Sequence, residues 1–245
     1  VPTLSERLQK GGYRTMMTGK WHLGTELAQS PVARGFDRFY GTRNFIDSYF
    51  TVLKHCQVFL DDKEVLPGTE TPVNHLHPEQ EWYTTDVFTD YALHFMDESF
   101  EKHADKPLFL YLAYNAPHFP FQAPEAEIDQ FLKPGVSRRV ATIYAMIQRV
   151  DLGIGRILQT LEERGLADNT IVMFMSDNGP QLDGEGEEST VRYNAGLRGA
   201  KQTVWEGGIR VPFIMRWPDG IEGRTSLDSL VHFTDWLPML DRIHP

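Results

Sequence analysis

The stretch Thr170-Ile-Val-Met-Phe-Met-Ser-Asp-Asn-Gly-Pro180 constrains the fold of this chain more than any other. Five consecutive apolar residues have the length of a strand and lack the polar alternation of a half-solvated one. That pattern predicts a strand buried on both faces, as in a parallel sheet. The run ends in Asp177 and Asn178, whose oxygen atoms would sit at the strand's carboxyl end, where ligands collect in open α/β sheets. A carboxylate next to an amide oxygen suits a hard cation, Ca²⁺ or Mg²⁺, and not a soft metal. A plain Asp-Asn-Gly-Pro turn is the competing reading.

Two further segments repeat the arrangement. Tyr13 to Thr18 reads as a short strand followed by Gly19-Lys20-Trp21-His22-Leu23-Gly24. Leu108 to Tyr114 is a second continuous apolar strand, followed by Asn115-Ala-Pro117-His118-Phe-Pro120, in which prolines bracket the imidazole and restrict its backbone. Ile143, Ile147, Val150, Ile154, Ile157 and Leu161 recur in steps of three and four, predicting a helix closed by Gly165. Strand 108–114, that helix and strand 170–176 together read as a right-handed βαβ unit. The expected fold is therefore α/β, a mostly parallel central sheet flanked by helices. Its strand ends would gather Lys20 and His22, then His118, then Asp177 and Asn178 on one edge, with Lys201 close behind.

Other elements are less charged with chemistry. Thr3-Leu-Ser-Glu6 fits a capping box for a helix ending at Gly11-Gly12. Tyr83, Val87, Tyr91 and Phe95 predict an amphipathic helix with an aromatic core face. Residues 25–80 read as irregular apart from a hairpin at 58–65, whose Asp61-Asp62 fits turn chemistry better than a metal pair. His75 and His77 lack a third ligand at a usual spacing. Cys56 stands alone and reads as structural. Asp183, Glu185, Glu187 and Glu188 read as a solvated lip, and His232 as packing at the start of a last helix.

The net charge of −10 and the lack of a basic stripe argue against nucleic acid as a partner. No apolar run has the length of a membrane span. A hard cation with two lysines and two histidines suits an anionic tetrahedral ester, because such groups neutralise the transferring group and protonate the leaving oxygen. These residues do not distinguish a phosphate from a sulfate ester.

Six segments, in order, resemble the type I sulfatases of the alkaline-phosphatase-like superfamily. They are Gly12-Tyr-Arg-Thr-Met-Met-Thr-Gly-Lys-Trp-His-Leu-Gly24, Arg34-Gly-Phe-Asp-Arg-Phe-Tyr-Gly41, Ala116-Pro-His-Phe-Pro120, Val150-Asp-Leu-Gly-Ile-Gly155, Ser176-Asp-Asn-Gly179 and Lys201 to Pro212. The resemblance implies hydrolysis of a small-molecule or carbohydrate sulfate ester, with a formylglycine made from Cys or Ser in a C/S-x-P-x-R motif as nucleophile. It implies that Asp177 and Asn178 bind Ca²⁺ and that Lys20 contacts sulfate. It implies that His22 acts as base for sulfate release, and that His118 and Lys201 hold sulfate and assist the leaving oxygen. It also favours a periplasmic, secreted or lysosomal setting, without choosing among them.

No C/S-x-P-x-R occurs in these residues, and Ser30-Pro-Val-Ala-Arg34 has the right ends but the wrong interior. The expectation is that residues 1–245 are part of a sulfatase catalytic domain, cut at both ends, with the nucleophile segment upstream and a C-terminal subdomain downstream. A phosphate or phosphonate ester hydrolase of the same superfamily, or a non-catalytic binding protein, are the alternatives.

Overall fold

The computed structural model describes residues 2–51, 57–66, 75–77 and 79–243. Cys56 lies outside the described residues. The chain divides into two compact units, residues 1–120 with 227–245, and residues 121–226.

The first unit is built on a five-stranded sheet. Its strands are β1 (Arg14–Lys20), β2 (Arg38–Thr42), β3 (Val58–Leu60), β4 (Lys63–Leu66) and β5 (Leu108–Ala113), in the order β4-β3-β2-β1-β5. β1 pairs parallel with both β2 and β5. β2–β3 and β3–β4 are antiparallel, so the sheet is mixed rather than mostly parallel. The reason is the hairpin: Asp61 and Asp62 join β3 to β4, and a two-residue turn can only join antiparallel strands. Asp61 Oδ1 accepts from the Phe39 amide at 3.0 Å and from Arg38 Nε at 3.2 Å, while Asp62 pairs with Arg43 at 2.7 Å. Both carboxylates therefore serve the turn, as the sequence predicts.

β1 is the strand with two dry faces. Met16 joins one apolar cluster with Tyr40, Val87, Phe88, Tyr91 and Phe95, and Met17 joins another with Trp21, Phe36, Phe39 and Phe59. Successive side chains of a strand point to opposite faces, so adjacent methionines serve different cores. Helix α2 (Thr84–Lys102) covers the first face and buries the predicted aromatic stripe. Fully burying a side chain such as Phe95 contributes about 1.5–3 kcal/mol. Helix α1 (Leu4–Lys10) carries the predicted capping box between Thr3 and Glu6. Gly19 is required where β1 meets β5, since a Cβ there would lie 2.0 Å from the Ala113 carbonyl oxygen.

The second unit holds α3 (Glu125–Phe131), α4 (Arg138–Glu163), β6 (Val172–Met175), the short α5 (Glu206–Ile209) and β7 (Phe213–Arg216). Helix α4 buries Ile143, Val150 and Leu161 of the predicted stripe but leaves Ile147 exposed. Within this unit β6 pairs antiparallel with β7 in a two-stranded sheet. The apolar run marks a strand correctly, but backbone pairing chooses the partner, and Val172–Met175 meets Phe213–Arg216 residue for residue. Nor is β6 buried on both faces, for Phe174 is exposed. The predicted last helix is α6 (Trp236–Ile243), preceded by a 3-10 turn whose capping box uses His232 with Thr234 and Asp235. His232 thus caps a turn from an exposed position rather than packing in a core. No helix among the described residues is long and apolar enough to cross a membrane.

Candidate functional site

The six predicted site residues fall into two groups of three, one in each unit. In the first unit, β1 and β5 run side by side and parallel, with Gly19 opposite Ala113. Their carboxyl ends therefore lie on one edge, and the residues that follow, Lys20 with His22 and then His118, emerge together. The strand pairing of β1 with β2 continues beyond Lys20: Trp21 donates to the Thr42 carbonyl at 2.9 Å and His22 to the Arg43 carbonyl at 3.1 Å. His22 is held in the left-handed region at φ +54°. A non-glycine residue there is strained by roughly 1–3 kcal/mol and persists only where its surroundings fix it.

Lys20 and His118 both act electrostatically on His22. The His22 imidazole is held below its ordinary pKa of 6.5, first by partial desolvation, then by the Lys20 ammonium and by His118. A lowered pKa keeps His22 largely neutral at pH 7, as a base must be. His118 follows the peptide Ala116-Pro117 and precedes Phe119-Pro120, both cis. Its Nδ1 lies 2.7 Å from the Phe119 carbonyl oxygen, which can only accept. Nδ1 therefore carries the proton, and Nε2 is the nitrogen left for chemistry.

In the second unit, Asp177 and Asn178 follow β6 directly. The Ser176 hydroxyl donates to the Asn178 carbonyl at 3.1 Å, and Asn178 Nδ2 donates to the Gly179 carbonyl at 2.8 Å. The turn is pinned to the segment around α5. Gly179 donates to the Gly208 carbonyl, and the Lys201 amide to the Pro180 carbonyl, both at 2.8 Å. A Cβ on Gly179 would stand 1.9 Å from the Gly207 carbonyl oxygen, so the close approach needs glycine. Lys201 is thereby tied to the Asp177–Asn178 turn through main-chain bonds that the sequence does not reveal.

A cation finds part of a site here. No described residue hydrogen-bonds or ion-pairs with the Asp177 carboxylate, and the Asn178 amide nitrogen is engaged while its oxygen is not. Both offered atoms are hard oxygens, which fits Ca²⁺ or Mg²⁺. Two donors are fewer than the six to eight that Ca²⁺ takes. Among the described residues no three His, Cys, Asp or Glu side chains converge on one point.

Four of the other acidic and imidazole groups have structural partners. Asp183 accepts from Gln181 and Thr190, at 2.6 and 2.8 Å, which holds its carboxyl below the usual range. Glu187 accepts from the Arg138 amide at 2.8 Å and Glu188 pairs with Arg139, so the acidic lip is fastened to the start of α4. His77 lies 3.6 Å from Glu79 in a loop. Two polar residues that bear on the site escape a reading by motif, Tyr49 and Asn115. Tyr49 lies in a stretch with no periodicity, and nothing in the sequence marks it as fully buried.

The mixed sheet of the first unit, with Lys20, His22 and His118 at one edge, defines an α/β architecture, and comparison supplies the family. The family model described as Sulfatase matches residues 1–240. Arylsulfatase J of Mus musculus is 32% identical over 240 residues, covering 97% of this chain and 38% of its own length. N-acetylgalactosamine-6-sulfatase of Mus musculus is 33% identical over 221 residues, covering 89% of this chain and 40% of its own. The crystal structure of Ps i-CgsB superposes with a TM-score of 0.73 at 30% identity, covering 89% of this chain and 48% of that one. A further structure of that protein is in complex with k-i-k-neocarrahexaose. The chain belongs to the sulfatase family. It spans about two fifths of the length of these curated relatives.

Proposed function

We propose that this chain is part of the catalytic domain of a sulfuric ester hydrolase that acts on a carbohydrate or other small sulfate ester. The observation that carries the reading is the Lys20–His22–His118 group on the β1/β5 edge, within a chain of the sulfatase family. Lys20 holds a sulfate oxygen as a point charge. His22, largely neutral at pH 7, takes up a proton during sulfate release. His118 and Lys201 hold the sulfate and give a proton to the leaving oxygen, an effect worth roughly 10²–10⁴ in rate for a positioned acid. Asp177 and Asn178 hold a divalent cation, Ca²⁺ before Mg²⁺, which when bound supplies neutralisation of the sulfate charge. The formylglycine nucleophile belongs to polypeptide outside these 245 residues, since they contain no C/S-x-P-x-R. A saccharide substrate is supported by the name of the N-acetylgalactosamine-6-sulfatase relative and by the neocarrahexaose bound to Ps i-CgsB.

The test uses the intact protein and matched 4-nitrophenyl sulfate and phosphate. Sulfate is expected to be turned over faster, and a higher rate on phosphate moves the assignment to a phosphoryl ester hydrolase. Asp177→Ala is expected to lower kcat/KM on sulfate by about 10²-fold or more, because metal neutralisation is worth several kcal/mol. Unchanged turnover in that variant removes the cation from Asp177.

A further inference from the structure

The His118 loop is held by a buried hydrogen-bonded clamp. The Tyr49 hydroxyl donates to the His118 carbonyl at 3.1 Å and accepts from Asn115 Nδ2 at 2.6 Å. The His118 amide in turn donates to the Asn115 carbonyl at 2.8 Å. Both main-chain groups of His118 are therefore fixed while its ring stays exposed. Tyr49 is anchored at its other end. Its carbonyl accepts from the amide and the hydroxyl of Thr84, the first residue of α2, at 2.8 and 3.1 Å. The first amides of a helix have no partner within it, so this bond satisfies a donor that would otherwise need a cap. The Tyr49 side chain is fully buried and its ring stacks on Tyr83 at 5.7 Å. Burial pushes its phenol far above the ordinary range, so the hydroxyl remains a donor.

We infer that Tyr49 and Asn115 are positioning residues, which transmit the rigidity of the α2 start to His118 and so aim its imidazole at the leaving oxygen of the ester. The inference rests on the reading of His118 as the acid of an ester hydrolysis. As the oxygen of the attacking nucleophile bonds to sulfur and the ester S–O bond breaks, the electron pair of that bond stays on the leaving oxygen, which takes the proton given up by the His118 imidazolium. A displacement of about 1 Å in such a group costs on the order of 10²-fold in rate. That cost depends on the leaving group: an alkoxide needs the proton, whereas 4-nitrophenolate leaves well without it. A tyrosine that merely stabilised the fold would lower both rates alike.

The experiment compares the intact protein with Tyr49→Phe, Asn115→Ala and the double variant, on an alkyl sulfate and on 4-nitrophenyl sulfate. Tyr49→Phe keeps the ring and removes the bond. Its kcat/KM is expected to fall by about 10²-fold on the alkyl ester, and by at least about tenfold less on the nitrophenyl ester. The double variant is expected to be no worse than the poorer single one, as for residues acting as a unit. Equal losses on the two esters, or none, overturn the clamp. If the wild type prefers phosphate, the ester assignment fails on its own, and the same alkyl-to-aryl comparison on phosphates decides the clamp. If the wild type turns over neither, hydrogen exchange of the His118 amide decides it. Exchange about tenfold faster in Tyr49→Phe supports the clamp, and an unchanged rate overturns it.

Discussion

At the scale of single residues, His22 combines a left-handed backbone with an imidazole whose charged form is disfavoured. Its titration midpoint, followed through the imidazole resonances, is expected below 6.5. His118→Gln is expected to raise the midpoint, because it removes one of the groups that hold it down. The folded state binds a proton at His22 less readily than the unfolded chain, so His22 costs nothing well above pH 6.5 and opposes folding progressively as pH falls below it. A midpoint at or above 6.5, or one indifferent to His118, refutes the electrostatic description of this group.

Among elements, the junction between the Asp177–Asn178 turn and α5 is set by close backbone approach. Gly179→Ala places a methyl group 1.9 Å from the Gly207 carbonyl oxygen, and backbone on backbone cannot yield as a long side chain can. Overpacking of this kind costs about 1–3 kcal/mol. A lowered melting temperature is expected, together with weaker retention of Ca²⁺ by the intact protein, since the turn carries both proposed ligands. Unchanged melting with unchanged Ca²⁺ binding rules out this junction as the support of the turn. The amino-terminal edge of the sheet has a different support, the Arg38–Glu98 pair with Asp61 3.2 Å from Arg38 Nε. The Arg38 contacts lower the Glu98 pKa against the opposing effect of its burial. They tie α2 to β2 and the hairpin, and leave the opposite edge to the site.

For the whole molecule, the proposed hydrolysis calls for a nucleophile motif that these 245 residues do not contain. The 245-residue polypeptide by itself is expected to show no turnover of 4-nitrophenyl sulfate, since it contains no C/S-x-P-x-R nucleophile motif. Turnover above the uncatalysed rate by this polypeptide would mean that another nucleophile serves and that the proposed chemistry is wrong. With a net charge of −10, the proposed anionic ester would depend for attraction on local positive charge such as the Lys20 ammonium.

By itself the sequence determined most of the elements and singled out the residues proposed to carry the chemistry. The capping box at Thr3, the aromatic stripe of α2, the long α4 and the strands before Lys20, His118 and Asp177 follow from local rules: period, cap and turn residues act over a few positions. Only the tertiary structure decided which strand lies beside which. A continuous apolar run is equally content with a parallel or an antiparallel neighbour, so β6 could be recognised as a strand while its pairing with β7 could not. The same holds for Tyr49, whose link to His118 spans 69 positions. Its buried hydroxyl needed a partner, but which carbonyl it reached depended on packing that no spacing records.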